Sequence, residues 1–293
     1  MRRIEHPGPV SDVRRRAVDC GLRQVELTLA PGKTLLDALA AVLAEGGATS
    51  AVATLKGGGF DPFVYVMPGL SPTPAHAVYF SERHEPAGFV RLESAAVTLG
   101  RRDGQPWLHG HGTWRDAAGR RLGGHVLPNE AVIAEPIKAA VWLLDGASFE
   151  VTPSAETAFS LFEPMPAPTA TVAGGSFAMA VRPNEDLCTA LVDECRSRGI
   201  AAARVRGGVG SLVGASFADG RVVEPFVTEV FVDGGAIGPR HDGRLAAQID
   251  TTVVDYLGGL HHGRLQAGGN PVLVTFELVV EPTSFTTPKP SHA

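Results

Sequence analysis

The sequence is poor in the features that mark several protein classes. It has only three cysteines, Cys20, Cys188 and Cys195, which is too few for the paired framework of a small secreted scaffold. Cys188 and Cys195 lie on one predicted helix, and two helical turns separate their Cα atoms by about 10 Å, beyond disulfide reach. Reduced thiols and a cytoplasmic location are the expectation. No apolar run reaches the length that spans a bilayer, and the segment Met1-Arg2-Arg3-Ile4-Glu5-His6-Pro7 lacks the apolar core of a secretory signal. Aromatic residues make up 6%, while Ala, Val and Gly dominate. Small-residue packing is expected, rather than an aromatic-lined groove. Net charge is -5, with no global basic footprint. Arg14-Arg15-Arg16 is a local run flanked by acids and reads as solvated. Membrane and nucleic-acid partners are both disfavoured.

Against these shortages, 293 residues with 44% hydrophobic content allow one large or two medium domains. Two segments share a plan. Val25–Leu29 alternates like a strand, Pro31-Gly32 turns, and Thr34 can cap a helix running to about Glu45 with Leu35, Leu36, Leu39, Val42 and Leu43 as its apolar stripe. Gly46-Gly47 ends it, and a strand over Ala51–Leu55 closes on Lys56-Gly57-Gly58-Gly59. The second segment repeats this: a strand over Ser176–Val181, a turn at Pro183-Asn184, a helix from about Glu185 to Arg198, and a strand over Ala201–Val205. It closes on the glycine-rich loop Arg206-Gly207-Gly208-Val209-Gly210. Leu35, Ala38, Leu39 and Gly47 match Leu187, Ala190, Leu191 and Gly199 at one constant offset. Neither glycine loop matches a Walker or dinucleotide fingerprint, so ordinary turn chemistry is the reading. Short strands and turns follow in both halves, as in a mostly antiparallel sheet carrying one helix. The predicted organisation is a first domain over 22–150, a Pro/Ala-rich linker over 151–173, a second domain over 174–282 and a mobile tail over 283–293.

The chemistry concentrates in three histidines. His109 and His111, two apart in Leu108-His109-Gly110-His111, project from one face of a strand. Asp116-Ala117-Ala118-Gly119 signals a hairpin turn, which places His125 of Gly123-Gly124-His125 directly across from His111. Three imidazoles on one patch suit a zinc-like divalent ion with an open fourth position. A hydrogen-bonded structural cluster is the alternative. Gly110, Gly112, Gly123 and Gly124 leave room for an ion near the backbone, or else mark bulges and tight bends.

These residues resemble a known family. The strand–helix–strand opening, Glu93 ahead of a strand, Leu108–His111 and the block Asp116–His125 are similar to the plants-and-prokaryotes conserved domain, PCC or PPC, also called DUF296. The second half resembles a divergent copy: Glu229–Gly235 is similar to the strand around the family's glutamate, and Tyr256-Leu257-Gly258-Gly259-Leu260 to its Gly-Gly-His element with leucine for histidine. The resemblance implies an α+β (α/β) fold of two tandem domains, each a twisted, mainly antiparallel sheet with one main helix. It also implies a homo-oligomer, usually a trimer, and a metal held by the three histidines. The DNA-binding label that many bacterial relatives carry is not matched by an Arg-Gly-Arg-Pro hook here. In the second copy no histidine stands at Ala247–Asp250, and the adjacent His261 and His262 face opposite ways.

A metal-activated water or polarised carbonyl would serve hydrolase or lyase chemistry on a small anionic metabolite, given a proton carrier. Glu93 and Glu135 are the candidate carriers, since both lie in apolar, strand-like surroundings. Glu135 follows Ala131–Ala134 and is expected to be partly buried. Lys56, beside three glycines, is the candidate contact for an anionic substrate. Trp107 and Trp114, flanking the histidine strand, are read as core or interface packing.

Overall fold

The computed structural model describes residues 2–167 and 175–283. It contains two α-helices, Leu35–Glu45 and Leu187–Ser197, among strands that pair almost entirely antiparallel. Thr34 caps the first helix by accepting from the Asp37 amide, and Asp186 caps the second by accepting from Thr189. Gly47 and Gly199 follow the two helices in the left-handed region, with φ of 62° and 69°, which glycine adopts without steric cost.

The two halves have the same strand order. In the first, the C-terminal part of Arg15–Leu29 pairs with Ile137–Asp145, which pairs with Ala51–Lys56. The sheet continues through Val90–Arg102 and Gln105–Arg115 to Arg121–Val126. In the second, Ser176–Val181 pairs with Val272–Pro282, which pairs with Ala203–Ser216. That sheet continues through Val222–Pro239 and Leu245–Asp255 to Leu260–Arg264. Each helix lies on its own sheet, and each pair builds a separate core, centred on Leu35, Leu39 and Leu43 in one half and on Leu187, Leu191 and Cys195 in the other.

Each sheet is buried on both faces where the halves meet. Ala51, Val52 and Ala53 are consecutive and all fully buried. Ala51 and Ala53 meet the helix-side core, and Val52 joins Cys20, Trp142, Phe149, Ala178 and Val279 between the halves. Such consecutive burial replaces the alternation of a half-exposed strand. All three cysteines are buried free thiols. No helix is long and apolar enough to cross a membrane among the described residues.

Three expectations are corrected. The first unit does not begin at 22: Arg15–Cys20 pairs with Ser176–Val181 of the second half, and Gly21–Leu29 continues into the first sheet, so one strand belongs to both. The 151–173 segment is not a linker throughout. Ser160–Pro166 is a strand on Ala147–Pro153, and alternating Leu161 and Phe162 contacts on either face hold it there; 168–174 lie outside the described residues, as does the expected tail from 284 onward. The glycine run Arg206–Gly210 is not a terminal loop. It lies inside Ala203–Ser216, where Gly207 and Gly208, at φ of 61° and 124°, shift the register between Arg206 and Val209.

Leu39 is fully buried in the helix–sheet core of the first half. Leu39→Ala should lower unfolding free energy by about 2–5 kcal/mol, read from the urea midpoint at unchanged slope.

Candidate metal centre

The hairpin that carries the histidines forms as its turn signal indicates. The Asp116 Oδ1 accepts from the amides of Ala118 (3.0 Å) and Arg120 (2.9 Å), which fixes the turn. The register that follows sets His111 opposite His125. His109 and His111 project together, so three rings meet. His109 Nε2 lies 3.0 Å from His111 Nε2, and His111 Nε2 lies 3.3 Å from His125 Nδ1. The four neighbouring glycines do not make room for an ion. A Cβ on Gly112 would sit 2.8 Å from Ala95 Cβ, and one on Gly124 would sit 2.4 Å from the Val66 carbonyl oxygen. They admit adjacent strands instead.

The outer nitrogens settle which atoms face inward. His109 Nδ1 is 2.8 Å from Glu277 Oε2, and His111 Nδ1 is 3.0 Å from the Val230 carbonyl oxygen. A carbonyl and a carboxylate only accept, so both Nδ1 atoms donate their protons outward. In the neutral rings, both Nε2 atoms then carry lone pairs directed at each other across 3.0 Å. Two lone pairs at that distance repel unless a metal ion or a proton shared by the two nitrogens lies between them. Outward hydrogen bonds of this kind accompany metal-ligating histidines. Tetrahedral zinc, with Zn–N of about 2.0–2.1 Å, puts neighbouring nitrogens about 3.3–3.4 Å apart, close to the spacings here. The three ligand atoms all lie within 4.8 Å of one another, and the cluster could hold a metal ion.

The second half completes the surroundings. Glu229, on the strand that also offers the Val230 carbonyl, places Oε1 3.9 Å from His111 Nε2 and 3.8 Å from His125 Nδ1. Its Oε2, and Oε1 of Glu277, are buried without a hydrogen-bond partner. Burial, followed by repulsion from His109 and His125, holds His111 well below the usual imidazole value. Burial and then His109 do the same to His125. Burial lifts the Glu229 carboxyl well above the usual range.

The histidines form the floor of a cavity of about 340 Å3. Its lining includes Tyr79, Phe80, Trp107, Phe159 and Phe162, so the expectation of a site without aromatic walls is overturned. Trp107 lines this cavity with the Arg102 guanidinium 4.2 Å from its ring centroid, whereas Trp114 is fully buried against Phe63 and Tyr65.

The candidate proton carriers and substrate contact are not brought to this floor. Glu93 is taken by Arg115 at 2.9 Å and by Arg121 at 2.5 Å. Glu135 is half exposed, near Arg91, because its short strand at the sheet margin turns the side chain outward. Lys56 is exposed at the end of its strand and does not line the cavity. Glu277 and the acidic role of Glu229 were not singled out as site residues from sequence. The available signal was a carboxylate in the apolar run Phe276-Glu277-Leu278-Val279-Val280.

The second hairpin also corrects the leucine-for-histidine match. Asp255 Oδ1 accepts from Leu257 (2.8 Å) and Gly259 (3.0 Å), as Asp116 does in its own turn. Tyr256–Gly259 is therefore the turn itself. Counting from the capping aspartates, the positions of His109, His111 and His125 fall on Gln248, Asp250 and Arg264. Arg264 grips Asp250 through two bonds of 2.9 Å and reaches Gln248 at 3.1 Å. His261 and His262 bind Asp255 and Asp233 separately.

No protein-family model matches the chain, and no curated protein matches it. Among solved structures it is similar to a plant- and prokaryote-conserved (PPC) protein from Pyrococcus horikoshii, at 18% identity over 50% of this chain and 96% of that one, with a TM-score of 0.41. A metal-containing protein from Archaeoglobus fulgidus aligns at 19% identity over 50% and 96%, also at a TM-score of 0.41. A candidate DNA-binding protein from Ralstonia eutropha aligns at 16% identity over 47% and 89%, at 0.38. That designation belongs to that protein and runs against the expectation that nucleic-acid partners are disfavoured.

The shifted groups set the pH behaviour of the metal-free protein. Below pH 6.5 the unfolded chain protonates His111 and His125 while the folded chain does not. Their contribution is therefore full above 6.5 and lost as pH falls, by up to about 1.4 kcal/mol per pH unit for each group. Glu229 runs the other way: its folded carboxyl keeps a proton above 4.5, so stability is lost as pH rises from there. In chelator-treated protein, His125→Ala should make the rise of unfolding free energy between about pH 5 and 6.5 shallower, and Glu229→Gln should make it steeper, in urea titrations.

Proposed function

We propose that the chain is a tandem pair of PCC-like domains that holds one divalent metal ion, zinc, at His109, His111 and His125 and offers it to a small-molecule ligand. The observation that carries this reading is the pair of inward Nε2 lone pairs 3.0 Å apart, with both outer nitrogens committed to acceptors. Three protein ligands leave a coordination position open, as in catalytic rather than structural zinc sites. Bound zinc would supply Lewis-acid polarisation of a carbonyl or activation of water, which suits hydrolysis or a lyase step.

The chain's own residues have divided roles. Glu277 holds the His109 ring in the tautomer that points Nε2 inward. The Val230 carbonyl does the same for His111. Glu229 stands beside the inner nitrogens of His111 and His125, buried and with one oxygen free, where a carboxyl can hold or accept a proton. The walls around that proton are largely apolar, among them Val227, Leu161 and Leu273.

Elemental analysis of the purified full chain tests the reading. After zinc loading and dialysis, about one equivalent per chain is expected, given one three-histidine cluster among the described residues. His111→Ala should lose it while its far-ultraviolet circular dichroism stays at the wild-type level. Glu277→Gln should weaken zinc binding about 10–100-fold in chelator competition, as loss of a ligand-orienting partner does. A wild-type chain that retains no transition metal would overturn the proposal.

A further inference from the structure

The ligand that fits this cavity can be read from three features of its walls. The first is apolar surface. Val78, Leu161, Val227 and Leu273 line the interior and are nearly fully buried, while Tyr79 and Phe80 at the mouth are 44% and 38% exposed. Tyr79 stacks on Phe159 with centroids 5.9 Å apart, and Phe80 meets His125 edge-on at 5.1 Å. Rings so arranged lead from solvent to the histidines. Covering them would remove exposed apolar area from water.

The second feature is charge. The floor already holds two carboxyl groups, Glu229 and Glu277, each with a buried oxygen lacking a partner. Two acidic side chains beside the histidines leave little place for anionic groups there: one can meet an ion at the histidine floor, whereas a second would sit against Glu229 or Glu277. Apart from the histidines, Arg102 is the one cation among the described lining residues, and its guanidinium already lies over Trp107.

The third feature is a free donor. Thr275 lines the cavity, is 4% exposed, and its hydroxyl has no hydrogen-bond partner. A buried hydroxyl left unpaired is costly unless a ligand or water completes it.

We propose, building on the reading that the histidines hold a divalent ion, that the ligand class is a monocarboxylate bearing one aromatic ring. Its carboxylate meets the histidine floor and the Thr275 hydroxyl, and its ring lies among Leu161, Val227, Tyr79 and Phe159. This narrows the small anionic metabolite of the sequence analysis and drops Lys56 as its contact, since Lys56 does not line the cavity.

The experiment is calorimetric titration of the zinc-treated full chain with 3-phenylpropanoate, propanoate, succinate and inorganic phosphate, with zinc content measured on the same sample. 3-Phenylpropanoate should bind at least about tenfold more tightly than the other three, as expected for burying a ring in an apolar pocket. Leu161→Trp, which fills the wall, and Phe159→Ala, which opens the mouth and keeps the chain folded should the first variant not fold, should each weaken it about tenfold at unchanged zinc content. Thr275→Val should weaken it several-fold. Succinate or phosphate binding as tightly as the aryl acid would overturn the proposal, as would no binding to a chain that holds its zinc, or binding indifferent to the wall variants. Wall-dependent binding to a chain holding no zinc would support the ligand class and overturn the metal reading instead.

Discussion

The centre of this protein depends on two hydrogen bonds made on the far side of imidazole rings. Glu277 and the Val230 carbonyl take the outer protons of His109 and His111, which leaves bare nitrogens facing inward. Both acceptors come from the second half of the chain, and both rings come from the first. Folding the halves together therefore does more than bury Val52, Phe149 and Val279 between them. It selects the tautomers, and with them the electrostatic character of the cavity floor. Separated halves would expose the same histidines to water, where either nitrogen can carry the proton.

The parts of this arrangement that were legible in the sequence are those set by local geometry. A two-residue repeat puts His109 and His111 on one face whatever lies beyond the strand, and the Asp116 turn fixes which residue opposes His111. Helix caps and closing glycines are equally local, which is why both helices fall close to their expected limits. Glu277 was not legible, because its meaning comes from a contact 168 positions away in the chain. Glu93 and Glu135 were attractive for their apolar neighbours, yet neighbours along a strand do not show which face a bulge or margin presents. The aromatic cavity was hidden by averaging: a low overall content says nothing about where Tyr79, Phe80, Trp107 and Phe159 gather.

The two halves show what duplication permits. The first keeps imidazoles at the three hairpin positions, whereas the second has Gln248, Asp250 and Arg264 there. In the second, a guanidinium holds Asp250 and Gln248 at the positions where the first has three imidazoles that could hold a metal ion. That copy contributes its other strands to the histidine site: Glu229 and Val230 from one, Glu277 from another. One site built from two unequal halves can vary its walls without disturbing its ligands.

The strand Arg15–Leu29 is stitched into both sheets, Arg15–Cys20 into one and Gly21–Leu29 into the other. A hinge needs a segment free to rotate, and this junction has none: any swing of one sheet against the other would shear a ladder of backbone hydrogen bonds. The two sheets then act as a fixed frame around the histidine floor, where the His109 and His125 side chains are already 17% and 18% exposed.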